Sequence, residues 1–257
     1  MFPIRDDNPT IRTPVVTYGL IALNVAVWVL VQGMGTEPRL VQSVCELGMI
    51  PGELFQTVPA GTEVPAGNGV ACVLGDTPTW WTPLTSMFLH GGWLHLIGNM
   101  WFLHIFGNNV EDSMGRVRYF LYYILCGLVA AFTQAFLNPS SAVPMVGASG
   151  AIGGVMGGYI VLYPRVQIHM LIFLFVFVTR IVVPAYWMLG YWFLMQVFSG
   201  YGSIGADRGG VAFWAHVGGF FAGVILIKLF ARRDYIASHE GHWRPRRLGW
   251  GSSDREW

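Results

Sequence analysis

Four polar residues in otherwise apolar surroundings, Ser149, His216, His95 and Asn99, have the types and spacing of a hydrolytic site. A serine hydroxyl is a weak nucleophile until a neighbouring base takes its proton, and a neutral histidine is the commonest such base. Ser149 stands in Gly147-Ala148-Ser149-Gly150, where a charge-free loop turns into an apolar segment. A lone serine there would serve simply as a helix N-cap. The flanking glycines let backbone N–H groups approach a substrate carbonyl, and a helix N-terminus favours developing negative charge, as an oxyanion site requires. His216 lies in Ala215-His216-Val217-Gly218-Gly219. His95 and Asn99 are four apart and so share one helix face, where they would either serve such a site or cap each other and interior carbonyls. No Asp or Glu falls within the apolar segments to orient His216, so the expected arrangement is a Ser-His dyad and not a triad. A metal site is disfavoured. His90 and His95 do not have a one-face spacing, His104 lies deeper, no HExxH motif or carboxylate cluster accompanies them, and the three cysteines lack zinc-ligand spacing.

The elements that must position these residues follow from composition. Of 257 residues 54% are hydrophobic and 11% charged, against about 25% charged in soluble domains. The mean hydropathy is +0.50. Such a chain lacks the charge to coat a water-facing globule, and a formal net charge of +1 supplies no broad cationic field for nucleic acid. An all-α integral membrane protein is expected. Stretches at 15–31, 94–110, 119–137, 149–163 and 211–230 are apolar and near the roughly 20 residues of a spanning helix. Between the last two, a long apolar stretch is broken by Arg180 and Pro184; 182–198 is expected as the fifth of six spans and 168–178 as a re-entrant or interfacial segment.

Basic residues mark the cytoplasmic side. Arg5, Arg12, Arg116, Arg118, Arg165 and Arg180 fall in connections on one side, together with Arg232, Arg233, Arg244, Arg246, Arg247 and Arg255 of the tail. The opposite connections hold only Arg39 and Arg208. Six spans with both termini cytoplasmic satisfy this pattern. The expected organisation is an N-terminal arm over 1–14 without a signal peptide, a six-helix membrane domain over 15–230, and a basic cytoplasmic tail over 231–257. The connection 33–92 is long enough to be a structured external insertion. Within it Cys45 and Cys72 would either form a disulfide or remain two unpaired structural cysteines, whereas Cys126, mid-span, reads as a small buried hydrophobe.

Small residues recur every four positions: Gly153 and Gly157 below Ser149, Gly150, Gly154 and Gly158 beside them, and Gly219 and Gly223 below His216. Such stripes let membrane helices approach backbone to backbone. Spans four and six are therefore expected to pack with the serine and histidine at one depth.

The motifs His95-Leu-Ile-Gly-Asn99, Gly147-Ala-Ser-Gly150 and Ala215-His216-Val-Gly-Gly219, in this order, resemble those of the rhomboid intramembrane serine proteases. The resemblance runs from span two to span six. It implies Ser149 as nucleophile, His216 as general base, and His95, Asn99 and the Ser149 backbone N–H as oxyanion donors, with Gly147 and Ala148 as substrate-stabilising neighbours. Glu111, Gly115, Gly150, Gly219 and Gly223 would be structural. It further implies hydrolysis of peptide bonds in transmembrane protein substrates entering from the lipid bilayer past span five, with no metal or cofactor, in a membrane such as the bacterial inner membrane. Two positions depart from the family's pattern: Trp81-Thr82 stands where members often carry Trp-Arg, and Gly153 where some carry an aromatic beneath the histidine. A catalytically dead relative would typically lack the serine or the histidine, and a transporter would show internal repeats or intramembrane carboxylates.

Overall fold

A computed structural model of the chain describes residues 2–67, 70–174, 177–202 and 211–243. Arg208 and the tail arginines Arg244, Arg246, Arg247 and Arg255 lie outside the described residues. Strand β1 (Phe2–Asp6) leads into helix α1 (Val15–Leu30). Short pieces follow: α2 (Arg39–Leu47), α3 (Pro51–Leu54), strands β2 (Glu63–Gly67) and β3 (Val70–Val73), and α4 (Thr82–Thr85). Next come α5 (Trp93–Met114), α6 (Arg116–Leu137), α7 (Ser149–Leu162), strands β4 (Gln167–Leu174) and β5 (Phe177–Pro184), then α8 (Ala185–Gly202), α9 (Phe213–Phe230) and α10 (Arg233–Trp243). Helices α6 and α9 are long and apolar enough to cross a membrane, while α1 and α7 are apolar but shorter. The bundle is apolar outside as well as inside. Leu125, Leu194, Phe221, Ile225 and Leu229 all point outward, the last 73% exposed, and so continuous an apolar exterior needs a non-aqueous surround.

Residues 168–198 differ from the sequence expectation. The helix expected from 182 begins only at Ala185, and ahead of it β4 and β5 form an antiparallel hairpin pairing Ile168 with Val183 and Leu171 with Arg180, with β1 added antiparallel to β4. The chain is therefore helical but not all-α. The run is rich in β-branched residues (Ile168, Ile172, Val178, Thr179, Ile181, Val182, Val183), which suit a pleated surface. Pro184 disfavours helix at Val183, so α8 begins only at Ala185. The N-terminal arm thus joins a sheet, anchored further by the Trp101 indole N–H donating to the Pro3 carbonyl at 2.7 Å.

Helix α1 starts after Pro14 with no side-chain cap of its own. Its orphan N–H groups are met from another helix. The buried Glu111 carboxylate, near the end of α5, accepts the Val16 N–H at 3.0 Å and both the N–H and the hydroxyl of Thr17 at 2.8 Å. The adjacent Asp112 accepts the N–H groups of Ile11 and Arg12 and pairs with the Arg12 guanidinium at 3.0 Å. Gly115, at φ +81, then reverses the chain into α6.

Helix α7 is the centre of the bundle, buried from Gly150 to Tyr159. A Cβ added at Gly219 would run into the Gly150 carbonyl oxygen, one at Gly223 into that of Gly154, and one at Gly157 into that of Phe220. Helices α7 and α9 therefore touch backbone to backbone. The Tyr122 hydroxyl of α6 lies across this seam, 2.7 Å from the Gly154 carbonyl oxygen and 3.1 Å from that of Gly223.

The insertion before α5 is structured. A disulfide joins Cys45 of α2 to Cys72 of β3, and the Glu53 carboxylate accepts the Gly75 N–H at 2.8 Å. Met49 and Met145 exchange two backbone hydrogen bonds, and the Gly147 N–H donates to the Ser86 carbonyl at 2.9 Å. The insertion thus holds the loop that leads into α7.

Two outcomes are expected. Gly223→Val must push α9 off α7, so its thermal unfolding midpoint in detergent should fall by the equivalent of about 3 kcal/mol or more, the upper end of overpacking costs. Gly98→Val, whose Cβ meets nothing within 4 Å, should leave the midpoint close to wild type. Separately, Asp6 in β1 accepts the Tyr159 hydroxyl at 2.5 Å. Burial raises its pKa from 3.8 to about 6, against the lowering effect of that hydrogen bond. The folded state then holds this proton more tightly than the unfolded state, so its stabilising effect is full below about pH 4 and is lost as pH rises to about 6. Amide exchange in β1 should accelerate across that window beyond its intrinsic pH dependence, and Asp6→Asn should remove the excess.

Candidate active site

Helix α7 begins at Ser149 because Gly147, at φ +132, turns the loop sharply into it. The seam with α9 carries His216 to the same level. His216 Nε2 lies 2.7 Å from Ser149 Oγ, within hydrogen-bond distance. His216 is buried, 8% exposed, and Ser149 is half-buried. The Ala215 N–H donates to Gln134 Oε1 of α6 at 3.3 Å, tying the first turn of α9 to α6.

Two side chains of α8 also touch His216, and neither belongs to the sequence motifs. Gln196 Oε1 lies 2.8 Å from His216 Nδ1, and Gln196 Nε2 donates to the Trp192 carbonyl at 3.3 Å. The Trp192 ring packs against the imidazole at a centroid separation of 5.8 Å and a 36° tilt. A Cβ at Gly153 would come within 3.7 Å of this indole and 3.1 Å of the His216 carbonyl oxygen. The glycine thus leaves the space that an aromatic from α8 fills. His216 therefore touches Gln196 and Trp192 as well as the serine. The signal for Gln196 was its amide within an apolar helix, a placement that marks helix-joining or functional groups. Its distance of 20 residues from His216 forms no recognisable motif.

Across the cavity, His95 and Asn99 share one face of α5. His95 Nδ1 accepts the Gly91 N–H at 3.2 Å. The neutral ring must then carry its proton on Nε2, and that edge faces Gly147, where an added Cβ would come within 2.8 Å. Asn99 Nδ2 is buried with no hydrogen-bond partner among the described residues. The N–H groups of Ser149 and Gly150, in the first turn of α7, have no helical acceptor. Ser149, His95 and Asn99 line one cavity of about 840 Å³ together with His216, Trp192 and Met145. Ala148 is buried behind Ser149.

His90 and His104 do not line this cavity. His90 is fully buried and packs edge-on against His95 at 5.1 Å; burial, aided by His95, pushes its pKa down to about 3 and keeps it neutral. His104 is exposed beside Tyr18 and Trp101. Among the described residues no group of three His, Cys, Asp or Glu is placed to hold a metal ion. Glu111 and Gly115 lie at the far end of α5, away from the cavity, whereas Gly150, Gly219 and Gly223 line the α7–α9 seam. Cys45 and Cys72 lie in the insertion.

Comparison with known proteins identifies the family. The family model described as Rhomboid domain matches residues 77–233, which include α5 to α9 and all the residues lining the cavity named above. Rhomboid-like protein 11, chloroplastic, of Arabidopsis thaliana is 40% identical over 78 residues, covering 30% of this chain and 28% of the relative. RHOMBOID-like protein 4 of the same plant is 31% identical over 147 residues, 57% of this chain and 33% of the relative. Inactive rhomboid protein 1 of Drosophila melanogaster is 38% identical over 79 residues, 31% of this chain and 5% of the relative. The matched stretches thus span well under half the length of these relatives. With more than half of the chain matched by the family model, this helical membrane protein belongs to the rhomboid family.

Proposed function

We propose that the chain is an intramembrane serine endopeptidase that hydrolyses peptide bonds of transmembrane proteins, working through Ser149 and His216 in a bundle that crosses the bilayer six times. The observation that carries this reading is the 2.7 Å contact between Ser149 Oγ and His216 Nε2 at an 840 Å³ cavity. Helices α1, α5, α6, α7, α8 and α9 would be the six spans, with β1, the β4–β5 hairpin and α10 on the cytoplasmic side with both termini, and the disulfide-bonded insertion outside. Helix α7 has 14 residues, about 21 Å, against roughly 30 Å of hydrocarbon. Its N-terminus, and Ser149 with it, would lie below the outer surface, and the cavity would bring water to that depth.

In the first step Ser149 Oγ attacks the scissile carbonyl carbon while His216 Nε2 takes the hydroxyl proton. Negative charge develops on the carbonyl oxygen. The Ser149 backbone N–H, His95 Nε2–H and Asn99 Nδ2, donors held in place before the reaction, would stabilise it. The tetrahedral species collapses with cleavage of the C–N bond, and His216 returns the proton to the leaving amine. Water then attacks the acyl-enzyme ester, His216 takes its proton and passes it to Ser149 Oγ, and the new carboxyl terminus leaves. No metal or cofactor enters these steps.

Labelling of the purified protein in detergent by a fluorophosphonate probe tests the reading. Wild type is expected to label, and Ser149→Ala and His216→Ala to lower labelling and cleavage of a transmembrane substrate by on the order of 10⁴-fold, with unfolding midpoints near wild type. Folded wild-type protein that neither labels nor cleaves would place it with the inactive relatives.

A further inference from the structure

We propose that Gln196 is the positioning residue of the reactive pair, holding His216 in the tautomer whose Nε2 is free to accept the serine proton; the inference rests on the serine-hydrolase reading above. The argument is one of hydrogen-bond direction. Gln196 Nε2 lies 3.3 Å from the Trp192 carbonyl oxygen, which can only accept. That contact fixes the amide with its oxygen toward the imidazole; the flipped amide would oppose two acceptors. Gln196 Oε1, 2.8 Å from His216 Nδ1, likewise only accepts. Nδ1 must therefore carry the proton. A neutral imidazole has a single N–H, so Nε2 is bare and receives the Ser149 hydroxyl proton across 2.7 Å. The three contacts run in one direction, from the Ser149 hydroxyl through the ring and the amide to the Trp192 carbonyl.

The same turn of α8 fixes the plane of the ring. Trp192 and Gln196 are four apart on one helix face, so one packs on the imidazole and the other grips its edge. An uncharged acceptor suits the location, because a carboxylate there would be buried against a neutral ring. Among the described residues the titratable group facing His216 is His95 of α5, while α7 presents the Ser149 hydroxyl and α8 presents Gln196 and Trp192.

The test uses the full chain in detergent, reading the fluorophosphonate labelling rate against pH together with kcat and KM for a cleaved transmembrane substrate. Gln196→Leu removes the acceptor at similar size and should slow labelling about tenfold, the loss of one neutral hydrogen bond, lowering kcat with KM little changed. Gln196→Glu keeps an acceptor at Nδ1 and should restore labelling, but the acid limb of its pH profile should move to higher pH because a carboxylate favours the protonated ring. Wild-type rate and profile in Gln196→Leu would overturn the proposal. So would a slow Gln196→Leu that Gln196→Glu fails to rescue, since that pattern marks packing alone. Should Gln196→Leu not fold, Gln196→Glu decides by itself: an unmoved acid limb overturns the proposal. Wild type that neither labels nor cleaves would overturn the hydrolase reading and this inference together, whereas an active wild type with indifferent Gln196 variants sinks only the inference.

Discussion

The backbone contact between α7 and α9 governs where Ser149 and His216 sit relative to each other. In lipid, apolar side chains gain little by leaving one apolar surround for another, so helices associate where close packing and polar contacts reward them. Gly150 and Gly154 facing Gly219 and Gly223 supply that close packing, and Tyr122 bonds to carbonyl oxygens on both sides of the seam. Since any Cβ at Gly219 or Gly223 would collide with a carbonyl oxygen, the spacing of the two helices is set by backbone and not by adjustable side chains. A hydrogen bond tolerates only a few tenths of an ångström. The 2.7 Å separation of Ser149 and His216 is preserved by an interface with no slack in it.

Around this seam, polar groups act at long sequence distance. Glu111 caps α1 from 95 residues away and Asp112 holds the arm that precedes it. The insertion before α5, closed by its disulfide, fixes the loop entering α7 through Met49, Met145, Ser86 and Gly147. Formal charge is kept at the ends of the bundle, in Glu111, Asp112 and the Arg12 pair, while the cavity is lined with neutral groups. Burying an ion in the interior carries a desolvation cost that geometry must offset, and neutral donors and acceptors avoid it. The Gln196 amide beside His216 fits that economy, giving direction to an imidazole without a countercharge.

The sequence by itself determined the membrane character, the approximate positions of the helices and the residues around which the cavity is built. Those are local properties: the length of an apolar run, the four-residue spacing of glycines, and short motifs in which the reactive residue and its small neighbours are contiguous. The strands at 167–184 were legible only as an apolar stretch of the wrong length, because an apolar run has the same composition whether it coils or pairs. Pairing with β1 decided the matter, and the partner lies more than 160 residues away.

What only the tertiary structure decided is how His216 is held. Gln196 and Trp192 lie on a helix whose rotation about its own axis is not encoded in any motif, and an amide in an apolar helix has many potential partners. The vacancy at Gly153 and the ring that fills it come from different helices, so neither is informative without the other. Hydrogen-bond direction depends on distances of about 3 Å between atoms far apart in the chain. Residue order could name a serine and a histidine; the packing of α7, α8 and α9 fixes which ring nitrogen faces the serine.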